Sequence, residues 1–131
     1  MKKSIVILFV AVSLICAACS NTDEATAITE FPSELQKTWN YSSAADDEVK
    51  TYKINSTTIN VTYGDGVTST YRFLHGTESY TTTLSGNQWT SWYIIMAVSA
   101  GREAGKEVTS IFHYRSGKLR VNDDPIEYTS N

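Results

Sequence analysis

Apolar and polar positions alternate along most of the chain with a period of two, which predicts short strands rather than helices. Thr57, Ile59, Val61 and Tyr63 fall on one side of such a segment and Thr58, Asn60 and Thr62 on the other, because successive strand side chains point to opposite faces. Gly64-Asp65-Gly66 breaks this run. Val67, Ser69, Tyr71 and Phe73 against Thr68, Thr70 and Arg72 then resume it, so residues 57–73 read as a β-hairpin. Ser85-Gly86-Asn87 predicts a second turn, between strands over 80–84 and 88–98. Arg115-Ser116-Gly117-Lys118 predicts a third, joining Val108, Ser110, Phe112 and Tyr114 to a strand over 119–121. With 39–41, 49–54 and 126–128 added, about eight or nine short strands are expected. The one helical signal is a single turn over 33–37, after Pro32, with Ser33 as its cap.

Consecutive strands joined by hairpins imply an all-β fold, an antiparallel meander. A meander of this length removes its exposed edges most simply by closing into a small eight-to-nine-stranded barrel, with a β-sandwich as the alternative. The stretch Trp92-Tyr93-Ile94-Ile95-Met96-Ala97-Val98 is apolar on both faces, which predicts a strand covered twice. If its outer face stays open instead, it offers a surface to a partner.

The start of the chain departs from this pattern. Lys2 and Lys3 precede an apolar run over 5–15, too short to span a bilayer comfortably, and Cys16-Ala17-Ala18-Cys19 follows. This is the form of a bacterial lipoprotein signal: residues 1–18 are the leader, and Cys19 is the lipidated first residue of the mature chain, with Ala17 and Ala18 as the small residues before it. Cys16 stands where the lipobox usually has Leu. The expected location is the extracytoplasmic face of the bacterial cell membrane, with the lipid on Cys19 as anchor, since two or more acyl chains hold a protein stably where one does not. The alternative, an ordinary secretory leader cut at Ala18, leaves an unmodified thiol that an oxidising compartment attacks. Residues 19–30 read as the lipidated cysteine and a polar tether, and residues 31–131 as one β-barrel domain.

Loss of the leader changes composition in two ways. No thiol remains for a disulfide or a thiolate metal site, and His75 and His113 are too far apart in sequence to suggest a metal centre, so neither metal nor cofactor is expected. Without Lys2 and Lys3, nine basic residues face fourteen acidic ones, a net charge of −5. The basic residues are scattered, which argues against a nucleic-acid partner.

The segment Phe31-Pro32-Ser33-Glu34-Leu35-Gln36-Lys37-Thr38-Trp39 places a short turn before a Trp that enters the first strand. It resembles the start of lipocalin-like domains, in which a Gly-x-Trp packs the closed end of the barrel; here Lys37 stands in place of the Gly. With the late aromatic hairpin Phe112-His113-Tyr114-Arg115-Ser116-Gly117, the layout from Phe31 to Tyr128 is similar to small lipocalin-like surface lipoproteins of lactobacilli and related Gram-positive bacteria. The resemblance implies a lipocalin-like barrel and a packing role for Trp39. It carries no assigned activity.

Candidate chemistry is sparse. Neither Gly-x-Ser-x-Gly nor a Cys/His pair occurs in the mature chain, and His113 falls on the strand face opposite Phe112 and Tyr114, the position of an outward residue rather than a general base. Asp46-Asp47-Glu48 and Asp123-Asp124 match no EF-hand spacing and read as solvated turns. The aromatic residues are what remains. Trp39, Tyr63, Phe73 and Phe112 are expected in the core, and Trp89, Trp92 and Tyr93 are the candidate ligand contacts. The function expected is a non-catalytic binding module for a small apolar or sugar ligand. The alternative is a cell-surface interaction protein that acts as an inhibitor, immunity or exclusion factor.

Overall fold

The computed structural model describes residues 27–130. The strands are β1 (Ala27–Ile28), β2 (Thr38–Asn40), β3 (Val49–Ile54), β4 (Thr58–Tyr63), β5 (Thr68–Thr77), β6 (Tyr80–Leu84), β7 (Asn87–Ala100), β8 (Glu107–Arg115), β9 (Lys118–Val121) and β10 (Tyr128–Ser130), with one 3-10 turn over Ser33–Leu35. Eight of them, in the order β2-β3-β4-β5-β7-β8-β9-β10, form an antiparallel meander that β10 closes by pairing with β2. The fold is therefore the lipocalin-like barrel expected rather than the sandwich. Two strands lie outside the ring: β1 adds to β5, and β6 adds to the first part of β7. Every barrel strand finds both neighbours within residues 27–130.

Local sequence explains the hairpins. Ser85 and Gly86 both have positive φ, 52° and 81°, as do Ser116 and Gly117, 48° and 77°; paired positive φ values are what a two-residue turn needs to match the twist of its strands. Register shifts in β5, between Thr70 and Tyr71 and between Phe73 and His75, bend that strand as barrel closure requires.

One end of the barrel is plugged. Phe31, Leu35 and Trp39 are fully buried, and the 3-10 turn is pinned by the Trp39 indole, whose Nε1–H donates to the Leu35 carbonyl at 3.0 Å. Phe31 meets Phe73 and Phe112 edge-on, and Trp39 meets Tyr114 in the same way. Lys37 lays its ammonium 5.7 Å from the ring centres of both Trp39 and Tyr114. A cation thus lies over two aromatic faces beside the plug.

Two boundaries differ from the sequence reading. The last strand is Tyr128–Ser130 rather than 126–128, because residues 122–127 turn back: Asn122 has φ 57°, and the Asp124 carboxylate accepts from the Ile126 N–H at 3.0 Å. At the other terminus Ile28, inside the segment expected as a tether, pairs with Gly76 and packs on the core. Gly76 permits this approach, since a Cβ there would lie 2.8 Å from Ile28 Cγ1.

The inner face of β7 carries Trp92, Ile94, Met96 and Val98, all buried. Its outer face is divided. Trp89 and Ser91 are covered, whereas Ile95 is half-buried and Tyr93 is 43% exposed.

Candidate functional site

The end opposite the plug is open. There the chain reverses through residues 41–48, 64–67, 101–106 and 122–127, and a cavity of about 290 Å³ occupies the lumen and reaches Val108, Thr109, Ser110 and Asn122. Val49, Ile59, Met96 and Val121 supply apolar wall, while Tyr52 on β3 and Tyr71 on β5 bring phenols from either side of β4. Phe112, edge-on to Phe31, closes the cavity on the side of the plug. The alternation of β3 puts Tyr52 on the same face as buried Ile54, and that of β4 aligns Ile59 with Val61, so the pattern that builds the core also lines the cavity.

The rim is held by backbone bonds. Gly64 donates to the Glu48 carbonyl at 2.8 Å and Asp65 to that of Asp46 at 3.2 Å, which ties two loops together. The Arg102 N–H donates to buried Ser69 Oγ at 3.0 Å, and its guanidinium lies 4.0 Å from the centre of the Tyr63 ring while pairing with Asp65 at 2.7 Å.

Carboxylates dominate this end. The four loops carry Asp46, Asp47, Glu48, Asp65, Glu103, Asp123, Asp124 and Glu127 against Arg102 and Lys106. Both cations are already paired, Arg102 with Asp65 and Lys106 with Glu103, and Glu127 reaches Lys118. Among the described residues, Asp46, Asp47, Glu48, Asp123 and Asp124 have no cationic partner.

Burial and this charge act together on the phenols. Tyr128 donates to the Val49 carbonyl at 2.7 Å, and its pKa is pushed up to about 12, first by desolvation and then by the Asp124 and Glu48 charges. Burial raises Tyr52 well above the ordinary phenol value, with the neighbouring Tyr128, Tyr71 and Tyr63 adding to it. Tyr71 is raised by burial and by Tyr63, whose hydroxyl lies 3.5 Å from its own. All three stay neutral at physiological pH and act as hydrogen-bonding groups rather than charges.

The sequence-derived contacts do not converge on one cavity. Trp92 points into the core beside Phe112 and borders a shallow depression with residues 27–33. Tyr93 points outward and, with Tyr80, flanks an open surface groove. Trp89 lies on the outer wall beneath Arg120, whose guanidinium is 5.7 Å from its ring centre, and its Nε1 is buried without a partner among the described residues. Cys19 lies outside the described residues.

On that wall His113 is outward-facing, as its strand position predicts, yet it is buried. Its Nε2 lies 3.1 Å from the Asn122 carbonyl, which can only accept, so Nε2 carries the hydrogen and Nδ1 accepts from Ser91 Oγ at 2.6 Å. Burial lowers the His113 pKa, and Arg120 lowers it further, so the ring is neutral at pH 7. The serine–imidazole–carbonyl order is that of an activated nucleophile, but Ser91 is 0% exposed and no substrate reaches it. The pair therefore serves packing: it satisfies buried polar groups and fastens β7, β8 and the 122–127 return together.

Among the described residues no group of three or more His, Cys, Asp or Glu side chains is placed to hold a metal ion. Comparison of the chain with protein-family models, with curated proteins and with solved structures finds no match.

Proposed function

We propose that this protein is a lipid-anchored extracytoplasmic lipoprotein, akin to the small lipocalin-like surface lipoproteins it resembles, and that it acts as a non-catalytic binding module for a small, mainly apolar ligand in the barrel mouth. The observation that carries the reading is the half-open cavity of about 290 Å³, an apolar lumen edged by the phenols of Tyr52 and Tyr71. Its size falls just under the range in which most ligand pockets fall, roughly 300–1,000 Å³, which limits it to a small ligand. A few polar groups in an otherwise apolar concavity are the usual means of orienting a ligand. The anchor rests on the order of Lys2, Lys3, the apolar run and Cys19.

Two measurements test the two halves. Mass spectrometry of the mature N-terminus from the native host should find Cys19 carrying acyl chains; an unmodified terminus removes the anchor. Native mass spectrometry of the same preparation should find a small molecule retained by the wild type and lost in Val108→Phe, which fills the mouth. Equal retention by both would place the ligand elsewhere.

A second reading, a surface interaction protein, has one observation in its favour. Tyr80 and Tyr93, each 43% exposed, stand together on the outer face of the β6–β7 hairpin. Under that reading Tyr80→Ala and Tyr93→Ala abolish capture of a partner while Val108→Phe does not.

A further inference from the structure

We infer that the barrel mouth selects by charge: it admits neutral or cationic small apolar molecules and turns away carboxylates of the same size, such as medium-chain fatty acids. This rests on the reading of the cavity as a binding site and specifies its ligand class.

Size sets the first limit. At the packing density of protein interiors, about 0.74, a cavity of about 290 Å³ holds roughly 200 Å³ of ligand, on the order of ten heavy atoms. An eight-carbon chain with one polar head fits; a long-chain lipid does not.

Charge sets the second. The residues that line the cavity include no Lys, Arg or His. Their polar groups are the phenols of Tyr52 and Tyr71, with Thr109, Ser110 and Asn122. A carboxylate taken into this space would need a cation to offset its lost hydration. Of the two rim cations, Arg102 is stacked on Tyr63 and bound to Asp65 and Lys106 is paired with Glu103, so either could turn to the ligand only by breaking contacts it already makes. The five rim carboxylates without cationic partners add like charge at the entrance. Their field already reaches inward: after burial, Asp124 and Glu48 help hold Tyr128 in its neutral form. An amine meets the opposite conditions, with carboxylates at the rim and tyrosine faces below, and an alcohol meets only hydrogen-bonding phenols.

The test compares octanoate, 1-octanol and octylamine, matched in chain length, by NMR titration of the isotopically labelled full chain, its amide spectrum first checked for the dispersion of a folded barrel. The alcohol and the amine should shift the amides of Val108, Ser110 and Asn122. Octanoate should bind at least about tenfold more weakly at low salt, as like-charge juxtaposition predicts. The gap should narrow as salt is raised, and narrow again in the Asp123→Asn, Asp46→Asn double variant, since exposed charges are screened. Octanoate binding as tightly as octanol would overturn the selectivity while leaving the cavity as a site. No cavity amide moving with any of the three, or movement only around Tyr80 and Tyr93, would overturn the binding reading itself.

Discussion

At the plugged end of the barrel, Phe31, Leu35 and Trp39 are fully buried, the Phe31 ring packs edge-on against Phe73 and Phe112 and that of Trp39 against Tyr114, and the Phe31 N–H donates to the Ser56 carbonyl at 2.9 Å. At the open end aliphatic residues such as Val49, Met96 and Val121 join Tyr52 and Tyr71 around a lumen that keeps a cavity, and carboxylates without cationic partners stand at the rim. A barrel of eight strands is near the size at which side chains either fill the interior or leave room for one small ligand, and this protein does one at each end. Close packing is therefore concentrated around Trp39, while open space is left at the mouth.

The sharpest way to break this contrast is to truncate both ends. Trp39→Ala should cost about 3–5 kcal/mol in urea denaturation, the range for a large buried aromatic. Val108→Ala, half-buried at the mouth, should cost about 1 kcal/mol. Equal losses would mean that the mouth is as much a part of the core as the plug.

A smaller effect tests whether the mouth phenols are structural. Tyr128→Phe removes the donor to the Val49 carbonyl and should cost about 1 kcal/mol at pH 7. The wild-type phenol has its pKa raised in the folded state, so its stabilising contribution is fully present below pH 10 and is lost as pH rises from there towards about 12. Stability should therefore fall less steeply across that window in Tyr128→Phe than in the wild type. Parallel curves would show that Tyr128 titrates in the folded state as it does in the unfolded chain.

The smallest expected effect lies on the outer wall. The pKa of His113 is lowered by folding, so its contribution is present above the unfolded value of 6.5 and is lost as pH falls below it. Melting temperature should drop between pH 7 and pH 5 in the wild type and drop less in His113→Gln. An unchanged slope would mean that the imidazole is freely protonated where it stands.

Much of this architecture is legible in the chain. Thr57 to Phe73 alternates as β4 and β5 do, and the Ser-Gly pairs at 85–86 and 116–117 mark the two-residue turns where they occur. Trp39 stands where its motif places a packing residue. Less legible was the boundary at Ile28, whose docking depends on the absence of a Cβ at Gly76, nearly fifty positions away in the chain. The cavity contacts were missed in favour of Trp89, Trp92 and Tyr93, because residue size singles out tryptophans, whereas position relative to the open end singles out Tyr52 and Tyr71.

The sequence by itself determined most of the strands, the hairpin turns and the face alternation within them, since these follow from alternation, turn conformation and residue type over a few positions. Only the tertiary structure decided which end stays open, which phenols meet there, and that Ser91 and His113 come within 2.6 Å beneath the returning 122–127 segment. Those outcomes depend on the register in which distant strands close the barrel, and no local pattern encodes that register.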